Sequence, residues 1–266
     1  MATALITGAS SGIGQSFAYA LARQHHDLVL VARRQDRLNA VAAKAKELGA
    51  GRTEIVASDL TRGGAPVELQ ARLAAVPIEI DYLINNAGFG TTGRFDRLPL
   101  AREVEEIELN VTALVALTRL FLPPMIERRE GTIINVASTA AFQPVPYMAT
   151  YAATKAFVLS FTEAISVETA GTGVRILALC PGPVRTEFQA VAKNENALMP
   201  SFVYLDADTV VRQALAAVAR GRRVRINGVM NAVGALAARL LPRALVIAIA
   251  GRLYRDAGID SRKVLP

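Results

Sequence analysis

The chain has 266 residues, 52% of them hydrophobic and 20% charged, with one cysteine and a formal net charge of +7. A single cysteine excludes a disulfide framework within the chain and favours a reducing compartment. No internal repeat, low-complexity run or Pro/Ser-rich linker divides the sequence, so one large domain accommodates its length. The positive charge is local: residues 220–266 carry 10 Lys and Arg against 2 Asp and Glu, whereas residues 1–219 carry 20 against 21. No aromatic-basic interleaving or DNA-reading motif accompanies it, so nucleic acid is not an expected partner.

In chain order, Thr3–Thr7 reads as a short apolar strand, followed at once by Gly8-Ala-Ser-Ser-Gly12-Ile-Gly14 and a helical pattern over 12–24. A strand this early leaves no room for a cleavable signal peptide, and the expected location is cytoplasmic. Gly8 permits a tight turn, Gly12 lets backbone approach a phosphate, and Gly14 lets the helix pack closely on the strand. The helix N-terminus then offers unpaired amides to an anion. The spacing is Gly-x-x-x-Gly-x-Gly rather than the common Gly-x-Gly-x-x-Gly dinucleotide fingerprint. Further strands are expected at 28–32, 53–57, 80–85, 131–138, 174–180 and 222–226, with helices at 35–48, 65–76, 101–128, 150–170 and 208–219. Continuous apolar strands such as Leu28–Val31 imply a parallel sheet covered on both faces, an α/β doubly wound fold. Ligands of such sheets bind beyond the strands' carboxyl ends. Gly8, Arg33, Asp59, Asn86, Ser138 and Pro181 all follow directly on expected strands.

The second strand ends in Ala32-Arg33-Arg34, where a guanidinium suits the 2′-phosphate of NADP better than the free ribose hydroxyl of NAD. Asn110 falls inside an expected helix, although its amide is a poor helix former. Ser138 closes an apolar strand, where its hydroxyl can meet a carbonyl oxygen as charge develops. Tyr151 and Lys155 stand one helical turn apart and share a face. A free phenol has a pKa of about 10, and a neighbouring ammonium lowers it toward a usable acid/base range. Cys180 ends an apolar strand and reads as an inert buried thiol. His25 and His26 read as surface residues, and no metal site is expected. Between Gly228 and Ala250 the chain is strongly apolar but broken by Arg239, Pro242 and Arg243, too short for a membrane span. Two short helices hinged at Pro242 are expected there. They could cover a pocket or enter a dimer interface, the preferred readings, or make peripheral contact with an anionic membrane through 228–250.

Taken in order, Gly8-x-x-x-Gly12-x-Gly14, Asp59, Asn85-Asn86-Ala87-Gly88, Asn110, Ser138, Tyr151-x-x-x-Lys155 and Pro181-Gly182-Pro183-Val184-Arg185-Thr186 resemble the short-chain dehydrogenase/reductase superfamily from about residue 2 to about residue 190. The resemblance implies a Rossmann fold over 1–226, with 227–266 as a basic, apolar helical extension. It implies an NADP(H)-dependent oxidoreductase that interconverts a carbonyl and a secondary alcohol. The implied catalytic residues are Asn110, Ser138, Tyr151 and Lys155, with Asn110 distorting its helix and holding a water that links Lys155 to solvent. The implied cofactor residues are Gly8, Ser10, Ser11, Gly12, Ile13, Gly14, Arg33, Arg34, Asp59, Leu60, Asn86, Ala87, Gly88, Tyr151, Lys155, Pro181, Gly182, Val184 and Thr186. Within that set Arg33 would meet the 2′-phosphate with Ser10 or Arg34 assisting, Asp59 the adenine, and Val184 with Thr186 the carboxamide. The segment 187–205 would be a lid; Phe188, Leu198, Met199, Phe202 and Tyr204, together with Phe142–Tyr147, make it apolar and favour a lipophilic ketone or aldehyde, an acyl chain or a steroid-like ring. The resemblance also implies a homodimer or homotetramer paired through helices 101–128 and 150–170. The alternative is a catalytically silent NADP(H)-binding sensor or scaffold, which usually has a damaged tyrosine or lysine; both are present.

Overall fold

Strands β1 (Thr3–Thr7), β2 (Asp27–Ala32), β3 (Thr53–Ala57), β4 (Tyr82–Asn85), β5 (Gly131–Val136), β6 (Val174–Cys180) and β7 (Val224–Ile226) form one sheet in the order β3-β2-β1-β4-β5-β6-β7. Every neighbouring pair is parallel. The computed structural model describes residues 1–76, 78–192 and 203–255. The helices are α1 (Gly12–Ala22), α2 (Gln35–Glu47), α3 (Ala65–Ala74), α4 (Leu100–Ile107), α5 (Leu114–Arg128), α6 (Ala149–Glu168), α7 (Phe188–Ala192), α8 (Ala207–Ala219), α9 (Val229–Leu240) and α10 (Arg243–Arg255).

Alternate strand residues point to opposite faces, so each strand feeds two cores. Ile6, Leu28, Leu30, Ile84, Ile134 and Leu177 pack with Phe17 and Leu21 of α1, Leu38 of α2 and Val210 of α8. Their immediate neighbours Leu5, Val29, Val31, Leu83, Ile133 and Ile176 pack on the other face with Leu69 of α3 and Leu117, Phe121 and Met125 of α5. The apolar runs of the sequence are thus buried from both sides, as the doubly wound arrangement requires. Strand order reverses between β1 and β4, the position at which such sheets open a crevice for ligand.

Three local expectations are corrected. The helix over 101–128 is not continuous: a π-helical turn, Glu108–Ala113, separates α4 from α5. Asn110 lies in that turn, where its amide bonds the Phe89 backbone instead of solvent. Strand β5 stops at Val136, and Ser138 caps a 3-10 turn, Thr139–Phe142, by accepting from Ala140 N at 3.1 Å. His26 is half-buried rather than on the surface; its Nδ1 accepts from Ala2 N at 3.3 Å and its ring lies 5.5 Å from that of Tyr82. Cys180 is buried, and desolvation pushes its thiol up to about 12, so it stays protonated.

Candidate active site

At the carboxyl ends of the strands lies a cavity of about 610 Å³. The β1–α1 turn contributes Gly8, Ser10, Ser11, Gly12 and Ile13; β2 ends on it with Arg33 and Arg34; β3 sends Asp59 and Leu60; β4 sends Asn86, Ala87 and Gly88. Ser138, Tyr151, Lys155, Pro181, Gly182, Val184 and Thr186 line the remainder. Two expected residues, Gly14 and Asn110, lie behind the wall rather than on it.

Gly8 and Gly12 hold φ of 65° and 57°, values glycine adopts without penalty. A Cβ on Gly8 would come within 2.8 Å of Asn86 Nδ2 and 2.9 Å of Ala87 Cα, and one on Gly14 within 2.6 Å of Asn86 Nδ2. The turn therefore has to be glycine for the β4 loop to close over it. Asn86 fastens the two together, donating from Nδ2 to Thr7 O at 2.9 Å and from its backbone to Thr7 Oγ1 at 3.0 Å. Helix α1 has no side-chain cap bond and no acid in its first turn, so the positive end of its dipole meets no carboxylate of its own. The cradle suits a pyrophosphate.

At the rim, Arg33 pairs with Glu105 at 3.3 Å. Arg34 pairs with Glu187 at 2.8 Å and reaches Ser10 and Ser11 at 3.3 Å each. The hydrogen bond from Arg34 holds the Glu187 carboxyl below its ordinary range.

On α6, Tyr151 and Lys155 occupy adjacent turns of one buried face. Lys155 donates to Val136 O at 2.8 Å, which ties it to the end of β5, and its Nζ lies 5.8 Å from the centre of the Tyr151 ring. Burial pushes the ammonium down to about 8, a shift that Glu106 opposes once it ionises. The Tyr151 ring packs against Phe188 at 5.3 Å between centroids. Asn110 donates to Phe89 O at 2.9 Å and to Thr154 Oγ1 at 3.0 Å, and accepts from Phe89 N at 3.1 Å. It thereby holds Gly88 so close to Lys155 that a Cβ there would stand 3.3 Å from Nζ and 2.8 Å from Asn110 Oδ1.

Sequence reasoning missed four contributors. Gly90 faces Tyr151, and a Cβ on it would lie 3.0 Å from the ring. Asn231 of α9 fills the space that a side chain at Gly182 would need, and donates to Val203 O at 3.1 Å and Asn227 O at 2.9 Å. Glu103 and Glu106 of α4 are buried, with Thr91 Oγ1 lying 2.5 Å from Glu103 Oε1 and 2.8 Å from Glu106 Oε2. A hydroxyl has one proton, so it can donate to only one carboxylate, and the other contact needs a proton on the acid. Glu103 also receives Thr150, whereas Glu106 Oε1 has no partner among the described residues, which makes Glu106 the protonated member. Desolvation, reinforced by Glu103, raises it to about 7. Of the expected lid, Phe188 and Tyr204 line the cavity, while Leu198, Met199 and Phe202 lie outside the described residues.

The model of the short chain dehydrogenase family matches residues 2–197, and the chain belongs to that family. It is 36% identical over 251 residues to an uncharacterized oxidoreductase of Myxococcus xanthus (strain DK1622), covering 94% of this chain and 97% of the other. It is 32% identical over 245 residues to the very-long-chain 3-oxoacyl-CoA reductase of Rattus norvegicus, covering 90% and 75%. Among solved structures, a short-chain dehydrogenase from Sphingobium yanoikuyae in complex with NADPH superposes with a TM-score of 0.81 at 35% identity, over 90% of this chain and 94% of that one. The protein is an oxidoreductase of this family with a Rossmann-like, seven-stranded parallel sheet.

Proposed function

We propose that the protein is an NADP(H)-dependent oxidoreductase interconverting a lipophilic ketone or aldehyde with its alcohol. The observation that carries the reading is the convergence of Ser138, Tyr151 and Lys155 on one cavity that also contains the glycine turn. The glycine cradle and the open α1 terminus would hold the pyrophosphate, Asp59 and Leu60 the adenine side, and Pro181, Gly182, Val184 and Thr186 the carboxamide. When bound, the nicotinamide supplies or accepts hydride. Arg33 and Arg34 line the same cavity and would meet the 2′-phosphate. No acid from the end of β2 lines the cavity, which favours the phosphorylated cofactor.

In reduction Tyr151 gives its phenolic proton to the carbonyl oxygen, Ser138 hydrogen-bonds that oxygen, and the positive charge of Lys155 stabilises the phenolate left behind. Asn110 positions the Gly88 loop against Lys155. Ala140, Val145, Met148, Phe188 and Val191 give the substrate end an apolar wall, suited to an acyl chain or a steroid-like ring. The rat relative's name, a very-long-chain 3-oxoacyl-CoA reductase, supports the first of these. Val104 and Ile107 of α4 and Phe157 and Val167 of α6 are exposed, which supports pairing through α4–α5 and α6 into a dimer or tetramer. Location in the cytoplasm fits the single cysteine. The helical run Leu100–Arg128 is apolar and long enough to cross a membrane, but it buries Leu114, Leu117, Phe121 and Met125 in the core.

The test is turnover of a panel of lipophilic ketones with NADPH and with NADH, alongside Tyr151→Phe. NADPH should be the better cofactor, and removing the hydroxyl should cut turnover by about 10²–10⁴-fold, far more than it weakens NADPH binding. Nucleotide binding without turnover on any carbonyl would favour the silent sensor.

A further inference from the structure

The last two helices have two faces. On the inner one, Met230, Asn231, Gly234 and Ala235 of α9 and Leu253 of α10 line the cavity, and Ala235, Val246 and Ala250 are buried. On the outer one, Val233, Leu236 and Leu240 of α9 are 54%, 58% and 75% exposed, followed by Leu245 and Ile249 of α10. Spacings of three and four residues put each set on one stripe of its helix, so the apolar surface is contiguous along α9 and resumes on α10. Apolar patches of this extent mark interaction surfaces.

The charge around the patch narrows the choice of occupant. Residues 229–255 contain no Asp or Glu, and while Arg239 lies over the Phe142 ring, Arg243 and Arg252 are exposed on α10. A second copy seated on the same face would set these arginines against their own counterparts with no carboxylate from either segment between them, which is repulsive. A surface that is apolar within and anionic at its rim is complementary. A bilayer containing anionic lipid has that profile: headgroups meet the arginines and acyl chains receive the leucines.

We propose that α9 and α10 dock the protein on an anionic lipid membrane, so that the wall of the cavity and the membrane contact are two faces of the same helices. A lipophilic substrate dissolved in the bilayer then reaches the enzyme without crossing water. The docking does not rest on the redox reading, because vesicle binding is measured without turnover.

The experiment is co-sedimentation of the full chain with vesicles of phosphatidylcholine alone and of phosphatidylcholine containing phosphatidylglycerol. Pelleting should occur with the anionic vesicles and weaken as salt rises. The Leu236→Ser/Leu240→Ser/Leu245→Ser variant should lower the partition coefficient about tenfold or more. The Arg243→Gln/Arg252→Gln variant should remove the preference for the anionic vesicles while leaving the apolar surface in place. Circular dichroism on both variants separates lost docking from lost folding. The proposal falls if the full chain stays in the supernatant with both vesicles or if the folded serine variant pellets like the wild type. It also falls if light scattering shows that the serine variant has split a dimer and neither protein pellets, since a second copy would then own the face.

Discussion

Glu106 offers the sharpest test of the buried chemistry behind the site. Replacing it with Gln keeps its volume and its acceptor for Thr91 while removing the ability to ionise. In the folded protein its carboxyl titrates near 7 rather than 4.5, because burial and Glu103 both oppose its charge. Below 4.5 it is protonated in both states and contributes no pH dependence. Between 4.5 and 7 the unfolded chain ionises first and binds fewer protons, so stability falls as pH rises. Above 7 the full cost is in place, about 3 kcal/mol for a shift of this size. The substitution should therefore be close to neutral at the acid end and stabilising by about 3 kcal/mol near neutrality. Urea unfolding of both proteins from about pH 4.5 to about pH 7.5 measures it. His26, held below the usual imidazole range by burial, is the same in both proteins and cancels in the difference. Lys155, at about 8, and Cys180, at about 12, act above that range. A stability difference that stays flat with pH would refute the assignment of the proton to Glu106.

Arg33→Asp should weaken NADPH binding by about tenfold or more, the value of a charge-assisted hydrogen bond, and leave NADH binding nearly unchanged; fluorescence titration with both cofactors checks it. Glu187→Gln frees Arg34 from an exposed ion pair worth about 0–1 kcal/mol, so NADPH should bind up to several-fold tighter in the same assay. Gly88→Ala brings a methyl within 2.8 Å of Asn110 Oδ1 and 3.3 Å of Lys155 Nζ. It should cost about 1–3 kcal/mol in thermal unfolding and reduce turnover, because the loop that Asn110 anchors must shift.

What the sequence made legible was local in the chain. The strand, glycine turn and helix at 3–22 are contiguous, and Tyr151 and Lys155 are separated by one turn of a single helix, so spacing alone juxtaposes them. Strands buried on both faces announce themselves as unbroken apolar runs. The interruption at Glu108–Ala113 was legible only through the family resemblance at Asn110 and not through periodicity, because the bonds that stabilise it come from Phe89, 21 residues away from Asn110. Asn231 was invisible for the same reason: nothing near it in the chain reports that it occupies the space beside Gly182.

Helix α4 inverts the usual relation of polarity to depth. Its acids Glu103 and Glu106 are buried, while Val104 and Ile107 are 47% and 43% exposed. A periodicity argument assigns the acids to solvent and the aliphatic residues to the core. The inward acids are tolerable because Thr91 and Thr150 meet them and one retains its proton. The outward aliphatics need a different account, and the proposed pairing through α4 and α6 would cover them. An inverted helix therefore carries two messages at once: a polar network behind Lys155, and an apolar surface on its far side. If the protein ran as a monomer at micromolar concentration in light scattering, the second message would have to be abandoned while the first, read by the pH dependence of Glu106→Gln, would stand.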